Sequence, residues 1–115
     1  MKYITSLIKM KLIYVAGKYN STSEVGLERN IRHAEEAAKR LWLEGWAVIC
    51  PHKNTAHFGG LLEDPQKDRE LWMAGDKEMV RRCDAIYMLN NWQASGGATE
   101  ELELAKELGL EIYFE

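Results

Sequence analysis

The chain has 115 residues, a net charge of −3, 46% hydrophobic residues and 29% charged residues. This length suits one domain, and the composition is that of a globular protein rather than a disordered or fibrous one. The Lys and Arg residues are scattered and the net charge is negative, which argues against a nucleic-acid polymer as the main partner, because binding to a phosphate backbone requires clustered positive charge.

The first ten residues, MKYITSLIKM, are basic and apolar. They are too short to span a membrane and lack the small-residue cleavage site of a secretory signal. We interpret residues 1–10 as an N-terminal extension and residues 11–115 as the domain itself. Cys50 and Cys83 lie far apart without the spacing of a metal site, which favours free thiols in a reducing, cytoplasmic compartment.

Apolar periodicity along residues 11–115 alternates between that of a strand and that of a helix. Strands are predicted at residues 11–16, 46–50, 85–89 and 111–114, and helices at residues 24–44, 66–82 and 97–108, with one long irregular loop over residues 52–65. Short apolar strands joined through helices are typical of a parallel sheet with right-handed crossovers. We therefore predict an α/β fold, a small doubly wound, flavodoxin-like parallel sheet with strand order 2-1-3-4 and helices on both faces.

In that order the first and third strands are neighbours, and their C-terminal ends flank the crevice where such sheets bind ligands. The loops that begin at Gly17 and Asn90 should face each other across it. Gly17, Lys18 and Asn20 are therefore candidate binding residues, since glycine permits close backbone approach and lysine can meet a phosphate. The segment GKYN lacks the glycines of a Walker loop or of a dinucleotide motif.

The segment DAIYMLNNWQASGGATEELELA, residues 84–105, contains a buried strand, a polar glycine-bearing turn and the start of a helix. A helix N-terminus at this position can hold an anion or a sugar hydroxyl. Glu100, Glu101 and Glu103 lie in the first turns of the helix, where one of them can point into the crevice. All three can equally be solvated charges that compensate the helix dipole, and residue spacing does not choose among them.

The segment SGGATEELELAKELG resembles the signature of the nucleoside 2-deoxyribosyltransferase superfamily, in which a Ser or Asp precedes a glycine by two residues and a nucleophilic glutamate follows that glycine by four. In this chain these residues are Ser95, Gly97 and Glu101. The superfamily includes 2'-deoxynucleoside 5'-monophosphate N-glycosidases and small uncharacterised bacterial and phage members. The resemblance implies that Glu101 attacks the anomeric carbon of a nucleoside or its 5'-monophosphate and forms a glycosyl-glutamate intermediate.

The resemblance also implies roles for Asp76 and Tyr14. Asp76, on the helix before the third strand, would protonate the departing base or contact the sugar, provided that its surroundings raise its pKa. The alternative is an exposed aspartate paired with Lys77 or Arg81. Tyr14, in the first strand, would orient the nucleophile with its hydroxyl, and the alternative is an aromatic residue of the core.

Ser95 stands where the transferases have an aspartate, whereas the related N-glycosidases have a serine. A hydroxyl does not repel a 5'-phosphate, which favours a nucleotide substrate, held by Ser95 with Lys18, and water as the acceptor. The alternative is that Ser95 only caps its helix. Trp92 is the candidate for stacking on the base, because an aromatic face accepts any nucleobase, whereas Trp42, Trp46 and Trp72 are interpreted as core or subunit contacts.

His52 and His57 lie five residues apart with Asp64 beyond them, a weak pattern for a metal site. We therefore predict no metal and no organic cofactor. The predicted partner is a small-molecule nucleoside or nucleotide, without a membrane, and the resemblance implies a homo-oligomer. Hydrolysis and base transfer both remain open, although the chain lacks the C-terminal extension of the transferases, which favours hydrolysis. The competing hypotheses are a non-catalytic nucleotide-binding module that keeps the fold and crevice, and a structural protein.

Overall fold

The computed structural model describes residues 9–56 and 58–115. In this part of the chain strands and helices alternate. The strands are β1 (Leu12–Ala16), β2 (Ala47–Ile49), β3 (Ala85–Met88) and β4 (Glu111–Phe114). The helices are α1 (Glu24–Leu43), α2 (Pro51–Asn54), α3 (Pro65–Arg81) and α4 (Gly96–Leu108), with a 3-10 turn at Trp92–Ala94. Most of the predicted extension, residues 1–8, lies outside the described residues, as does His57.

The four strands form one parallel sheet in the order β2-β1-β3-β4. Tyr14 in β1 lies opposite Ile49 in β2 and Ile86 in β3. This confirms the predicted fold class and strand order. The sheet reverses its direction of growth between β1 and β3, so the C-terminal ends of these two strands open the crevice.

Successive residues of a strand point to opposite faces of the sheet, which creates two separate cores. We call the side covered by α1 the α1 face, and its buried cluster is Ile13, Val15, Ala34, Ala37, Leu41, Ala85 and Leu89. We call the other side the α3–α4 face, and its buried cluster is Tyr14, Ala16, Val80, Cys83, Ile86, Met88, Ala98, Leu102 and Ala105.

Polar caps set where the three long helices begin. The side chains of Ser23, Asp64 and Ser95 accept hydrogen bonds from the backbone N–H groups of Gly26, Gln66 and Ala98, at 3.0, 2.9 and 3.1 Å. Each cap satisfies a donor that the first helical turn leaves without a partner. The cap at Ser95 starts α4 directly after the 3-10 turn, and this brings its first turns to the C-terminal edge of the sheet.

The prediction of one irregular loop over residues 52–65 is wrong at its beginning, where the short helix α2 (Pro51–Asn54) follows β2. Pro51 occupies the first helical position, where its fixed φ favours the helix and its missing N–H costs nothing. A helix of four residues is too short to produce a detectable apolar period.

Candidate functional site

A hydrogen bond between two buried side chains lies at the centre of the α3–α4 face. The hydroxyl of Tyr14 donates to Oε2 of Glu101 at 2.7 Å. Tyr14 is 0% exposed and Glu101 is 5% exposed. Tyr14 reaches this face because of its position in β1, and Glu101 reaches it from the second turn of α4. The two residues are 87 positions apart in the chain, so only the packing of α4 on the sheet brings them together.

The three glutamates at the start of α4 have different surroundings. Glu100 pairs with Lys77 at 2.9 Å and its side chain is 57% exposed, while Glu103 pairs with Lys106 at 3.5 Å and is 63% exposed. Glu101 points inward and is the only buried acidic side chain within residues 9–56 and 58–115. Burial thus separates Glu101 from its two neighbours, as residue spacing could not.

Burial raises the pKa of Glu101 to about 8, because an ionised carboxylate loses its solvation there. The hydrogen bond from Tyr14 acts in the opposite direction, while the negative charge of Asp76 raises this pKa further. The pKa of Tyr14 is raised well above its usual value, first by burial and then by the charges of Glu101 and Asp76. Tyr14 is therefore a neutral phenol at physiological pH, and its hydroxyl donates a hydrogen bond to Oε2 of Glu101.

Asp76 lies on α3 and is half-buried, and this burial raises its pKa to about 6. The two cations that were its alternative partners are engaged elsewhere, since Lys77 pairs with Glu100 and Arg81 pairs with Glu78 at 3.2 Å. Asp76 forms no ion pair with any residue that the structure describes. The negative charge of Asp76 raises the pKa of both Glu101 and Tyr14, so the protonation states of these three side chains depend on one another.

Ser95 and Gly97 stand at the start of α4. Ser95 caps the helix through Ala98, and its backbone carbonyl accepts a hydrogen bond from the hydroxyl of Thr99 at 2.9 Å. This is the capping role that was the alternative for Ser95. Gly97 faces α3, because a Cβ atom added to it would lie 3.5 Å from Sδ of Met73. The first turn of α4 therefore packs closely against the middle of α3.

The loop after β1 carries Gly17, Lys18 and Asn20. A Cβ atom added to Gly17 would lie 2.5 Å from Cδ1 of Leu89 and 2.9 Å from Oδ1 of Asn91. The glycine thus permits close contact with the chain after β3 rather than leaving an open space for a ligand. Asn20 is exposed, and its carbonyl accepts from the side-chain amide of Asn30 at 3.3 Å.

Two side chains that are not among the predicted site residues hold this loop in place. The Oδ1 atom of Asn91 accepts a hydrogen bond from the backbone N–H of Lys18 at 2.9 Å. Nε2 of His52 lies 2.9 Å from the carbonyl oxygen of Lys18, so this nitrogen is the donor. The position of Asn91 directly after the third strand, at the predicted crevice, was the signal that could have identified it. Both contacts use the backbone of Lys18, whose side chain forms no ion pair with the described residues.

Trp92 lies in the 3-10 turn and packs against the cluster of the α3–α4 face. Its ring centroid is 6.0 Å from that of Phe114 in β4, so part of its surface is occupied by the protein. Asp64 caps α3, and His52 is buried beneath the loop after β1. Within the described residues, no group of three His, Cys, Asp or Glu side chains has an arrangement suited to a metal ion.

No helix in the described ranges combines the length and the apolar character needed to cross a membrane. A family model described as a domain of unknown function (DUF4406) matches residues 11–114. The chain belongs to this DUF4406 family. No curated protein matches it in sequence.

Among solved structures, this DUF4406 domain is similar to a 2-deoxyribosyltransferase from the psychrotolerant bacterium Bacillus psychrosaccharolyticus. The TM-score is 0.65 and the identity is 21%, over 90% of this chain and 70% of the other. A similarity at 21% identity shows a shared fold. As a similarity of fold, it confirms the resemblance to the nucleoside 2-deoxyribosyltransferase superfamily.

The DUF4406 domain thus joins an acid and a phenol in one buried hydrogen bond, with a second acid close enough to raise the pKa of both. Glu101 can act as a nucleophile when ionised, and Tyr14 leaves its second oxygen, Oε1, free for that purpose. Asp76, with a pKa near neutrality, can give a proton to a leaving group and take one from water. This set of groups is suited to substitution at a carbon that develops positive charge.

Proposed function

We propose that the protein cleaves the N-glycosidic bond of a (deoxy)nucleoside or its 5'-monophosphate through a glycosyl-glutamate intermediate on Glu101. The observation that carries this proposal is the buried 2.7 Å hydrogen bond between Tyr14 and Glu101, beside Asp76. A buried carboxyl without a cationic partner lowers stability when it ionises, and such groups are typical of functional sites. The fold shared with a 2-deoxyribosyltransferase supports the same chemistry.

The first half of the reaction forms the intermediate. The Glu101 carboxylate attacks C1' as the C1'–N bond breaks, and the electron pair of that bond leaves with the base. Asp76 donates a proton to the base, so that a neutral base departs. Tyr14 hydrogen-bonds to Oε2 and thereby orients Oε1 toward C1'. The developing oxocarbenium charge is stabilised by the adjacent carboxylate before the ester bond closes.

The second half of the reaction restores the site. Water attacks C1' of the ester and gives a proton to Asp76, the C1'–O bond to Glu101 breaks, and the carboxylate of Glu101 returns. The net products are the free base and the free sugar or sugar 5-phosphate. A second nucleobase in place of water would give base transfer through the same intermediate.

The two pKa values determine how much of the enzyme is active. The attack needs ionised Glu101 and protonated Asp76, yet the pKa of Glu101 is about 8 and that of Asp76 is about 6. The form in which Glu101 is ionised and Asp76 is protonated is therefore roughly 1% of the protein near pH 7. We expect a bell-shaped kcat/KM that rises to about pH 6, stays level to about pH 8 and falls above it.

A non-catalytic nucleotide-binding module is the second candidate, and the raised pKa of Glu101 favours it. With a pKa of about 8, Glu101 is mostly protonated at pH 7 and can donate a hydrogen bond to a bound ligand instead of attacking it. Such a module would be stabilised against heat by a nucleotide and would release no base.

The test is incubation with deoxynucleosides and their 5'-monophosphates at pH 7, with free base detected by chromatography. The variants are Glu101→Gln and, as a matched control, Glu103→Gln on the exposed side of the same helix. We expect base release by the native protein and by Glu103→Gln but not by Glu101→Gln. Mass spectrometry of acid-quenched protein should find the sugar on the peptide that contains Glu101.

Two results would overturn the proposal. One is equal base release by Glu101→Gln and the native protein, which would remove Glu101 from the reaction. The other is no base release from any substrate by a folded protein that nucleotides still stabilise against heat. That second result would establish the binding module.

A further inference from the structure

We propose that Trp72 is the surface on which the nucleobase stacks, and that Asp68 holds its indole ring in position. This inference rests on the proposed function, because it requires a nucleobase in the crevice. It differs from the interpretation of the sequence, in which Trp92 stacked on the base and Trp72 was a core or subunit contact.

The position of Trp72 follows from the spacing of residues along α3. Asp68, Trp72, Asp76 and Val80 are four positions apart and therefore lie on one side of the helix. Val80, at the lower end, is buried in the same cluster as Tyr14. Asp76 comes next and acts electrostatically on Glu101. Trp72 lies one turn further along the same side, about 6 Å from Asp76 along the axis.

The first turns of α3 extend beyond the sheet. A helix of 17 residues is about 25 Å long, whereas strands of three to five residues rise at most about 17 Å. Because α3 follows the C-terminal end of β2, its first turns stand at the edge where the crevice opens. Of the α3 residues, only Val80, near the far end, is buried. Trp72, at the end of the second turn of α3, is partly buried and belongs to neither buried cluster, so it lies near this edge rather than in the core.

Asp68 fixes the orientation of the indole. Nε1 of Trp72 donates to Oδ2 of Asp68 at 3.1 Å. The same carboxylate accepts hydrogen bonds from the backbone N–H groups of Gly60 at 3.2 Å and Leu62 at 2.9 Å. Asp68 thereby ties the loop before α3 to the ring. A ring that is already fixed loses little conformational freedom when a ligand binds to it.

Trp72 has apolar surroundings that are still open to solvent. The ring centroid of Phe58 is 6.2 Å from that of Trp72, and Phe58 is 52% exposed. Leu61, Leu62 and Leu71 are also exposed. A planar base laid on Trp72 would cover part of this apolar surface while its glycosidic bond points toward Asp76 and Glu101. Trp92 packs against Phe114 and against the buried cluster of the α3–α4 face, whereas Trp72 packs against neither buried cluster.

The experiment measures binding by calorimetry in the Glu101→Gln background, where the ligand is not consumed. The two ligands are a deoxynucleoside 5'-monophosphate and 2-deoxyribose 5-phosphate, which has no base. We expect Trp72→Ala to weaken nucleotide binding by roughly 5- to 100-fold and to leave the affinity for the sugar phosphate unchanged. Trp72→Phe, which keeps an aromatic face, should lose much less. Trp42→Ala, on the exposed side of α1, is the matched control and should change neither affinity.

Asp68 is a positioning residue and has its own variant, Asp68→Ala. We expect it to weaken binding of the nucleotide but not of 2-deoxyribose 5-phosphate, and by a smaller factor than Trp72→Ala. A general loss of stability would instead lower both affinities together, so this split separates positioning from folding.

Three results would overturn the inference, and they differ in what they mean for the proposed function. Unchanged nucleotide affinity in Trp72→Ala, or a loss in Trp92→Ala in its place, removes only the role of Trp72. An equal loss for both ligands in Trp72→Ala and Trp72→Phe shows a distorted site rather than lost stacking. If Glu101→Gln binds neither ligand while it remains folded, the proposed function fails together with the inference.

Discussion

The two faces of the sheet use the same four strands in opposite ways. The buried cluster of the α1 face consists of apolar side chains, such as Ile13, Val15 and Leu89. The α3–α4 face buries Tyr14 and Glu101 within an otherwise apolar cluster. Burial stabilises the first face, because apolar area removed from water contributes about 25 cal/mol per Å². On the second face it also opposes the ionisation of a carboxyl, so the face that carries the site lowers stability whenever Glu101 is charged.

This difference has a defined dependence on pH. The pKa of Glu101 is raised from its usual 4.5 to about 8 in the folded protein, so the folded state binds this proton more tightly than the unfolded state. The resulting stability is fully present below about pH 4.5 and is lost as the pH rises through about 8. The buried cluster of the α1 face has no titratable member, so its apolar contacts do not depend on pH.

The largest effect is expected from Glu101→Gln at pH 9. The substitution removes the buried charge and keeps an oxygen that accepts from Tyr14, so the free energy of unfolding should rise by about 4 kcal/mol at pH 9 and change little at pH 4. Urea denaturation at the two pH values measures this. Glu103→Gln, on the exposed side of α4, should change stability by less than about 0.5 kcal/mol at both. An equal response of the two variants at pH 9 would mean that Glu101 is not a buried acid.

Leu41→Ala tests the other face. Leu41 is buried between α1 and the sheet, and its truncation should lower the free energy of unfolding by about 3 kcal/mol. The loss should be the same at pH 5 and pH 9, because no titratable group is involved. Base release at a temperature well below unfolding should keep the native rate. A pH-dependent loss would contradict the separation of the two faces.

Asp76→Asn should have a smaller effect on stability and a characteristic effect on the reaction. Its raised pKa of about 6 means that the charged form destabilises the fold above that pH, so the variant should gain about 2 kcal/mol at pH 8, after allowance for partial exposure.

In the reaction, Asp76→Asn should lower kcat by roughly 10²- to 10⁴-fold, since no acid protonates the base. The fall in kcat/KM above about pH 8 should disappear. The rise should continue beyond pH 6 until Glu101 is ionised, at a pKa below about 8, because a charge that raises the pKa of Glu101 has been removed. Glu78→Gln, on an exposed part of α3, is the control. A profile that keeps its alkaline fall would exclude Asp76 as the acid.

Tyr14→Phe should have the smallest effect on stability, a loss of about 1 kcal/mol at pH 6 and more at pH 9, where the lost hydrogen bond is made to a charge. The pKa of Glu101 should rise, because the bond from Tyr14 lowers it. Tyr87→Phe, on the α1 face of the same sheet, should show a loss that is equal at both pH values. Urea denaturation at pH 6 and pH 9 compares the two variants. Identical behaviour would show that Tyr14 does not hydrogen-bond to ionised Glu101.

The sequence by itself determined the fold, because the features that specify it are local. The apolar runs, the caps at Ser23 and Ser95 and the alternation of strands with helices required no knowledge of distant contacts, and the order β2-β1-β3-β4 followed from crossover handedness. The apolar pattern of the sequence did not predict helix α2, because four residues are too few to show a helical period. Glu101 was selected over Glu100 and Glu103 only through a family resemblance.

Only the tertiary structure decided which polar groups are buried and which of them meet. The rotation of α4 on the sheet turns Glu101 toward Tyr14, 87 residues away. Glu100 then pairs with Lys77, so Lys77 does not pair with Asp76. Trp72 of α3 packs on Phe58 of the preceding loop, and Trp92 packs on Phe114 of β4, with ring centroids 6.2 and 6.0 Å apart. Residue types and spacing carry no information on these contacts, because each depends on how two elements pack rather than on either element alone.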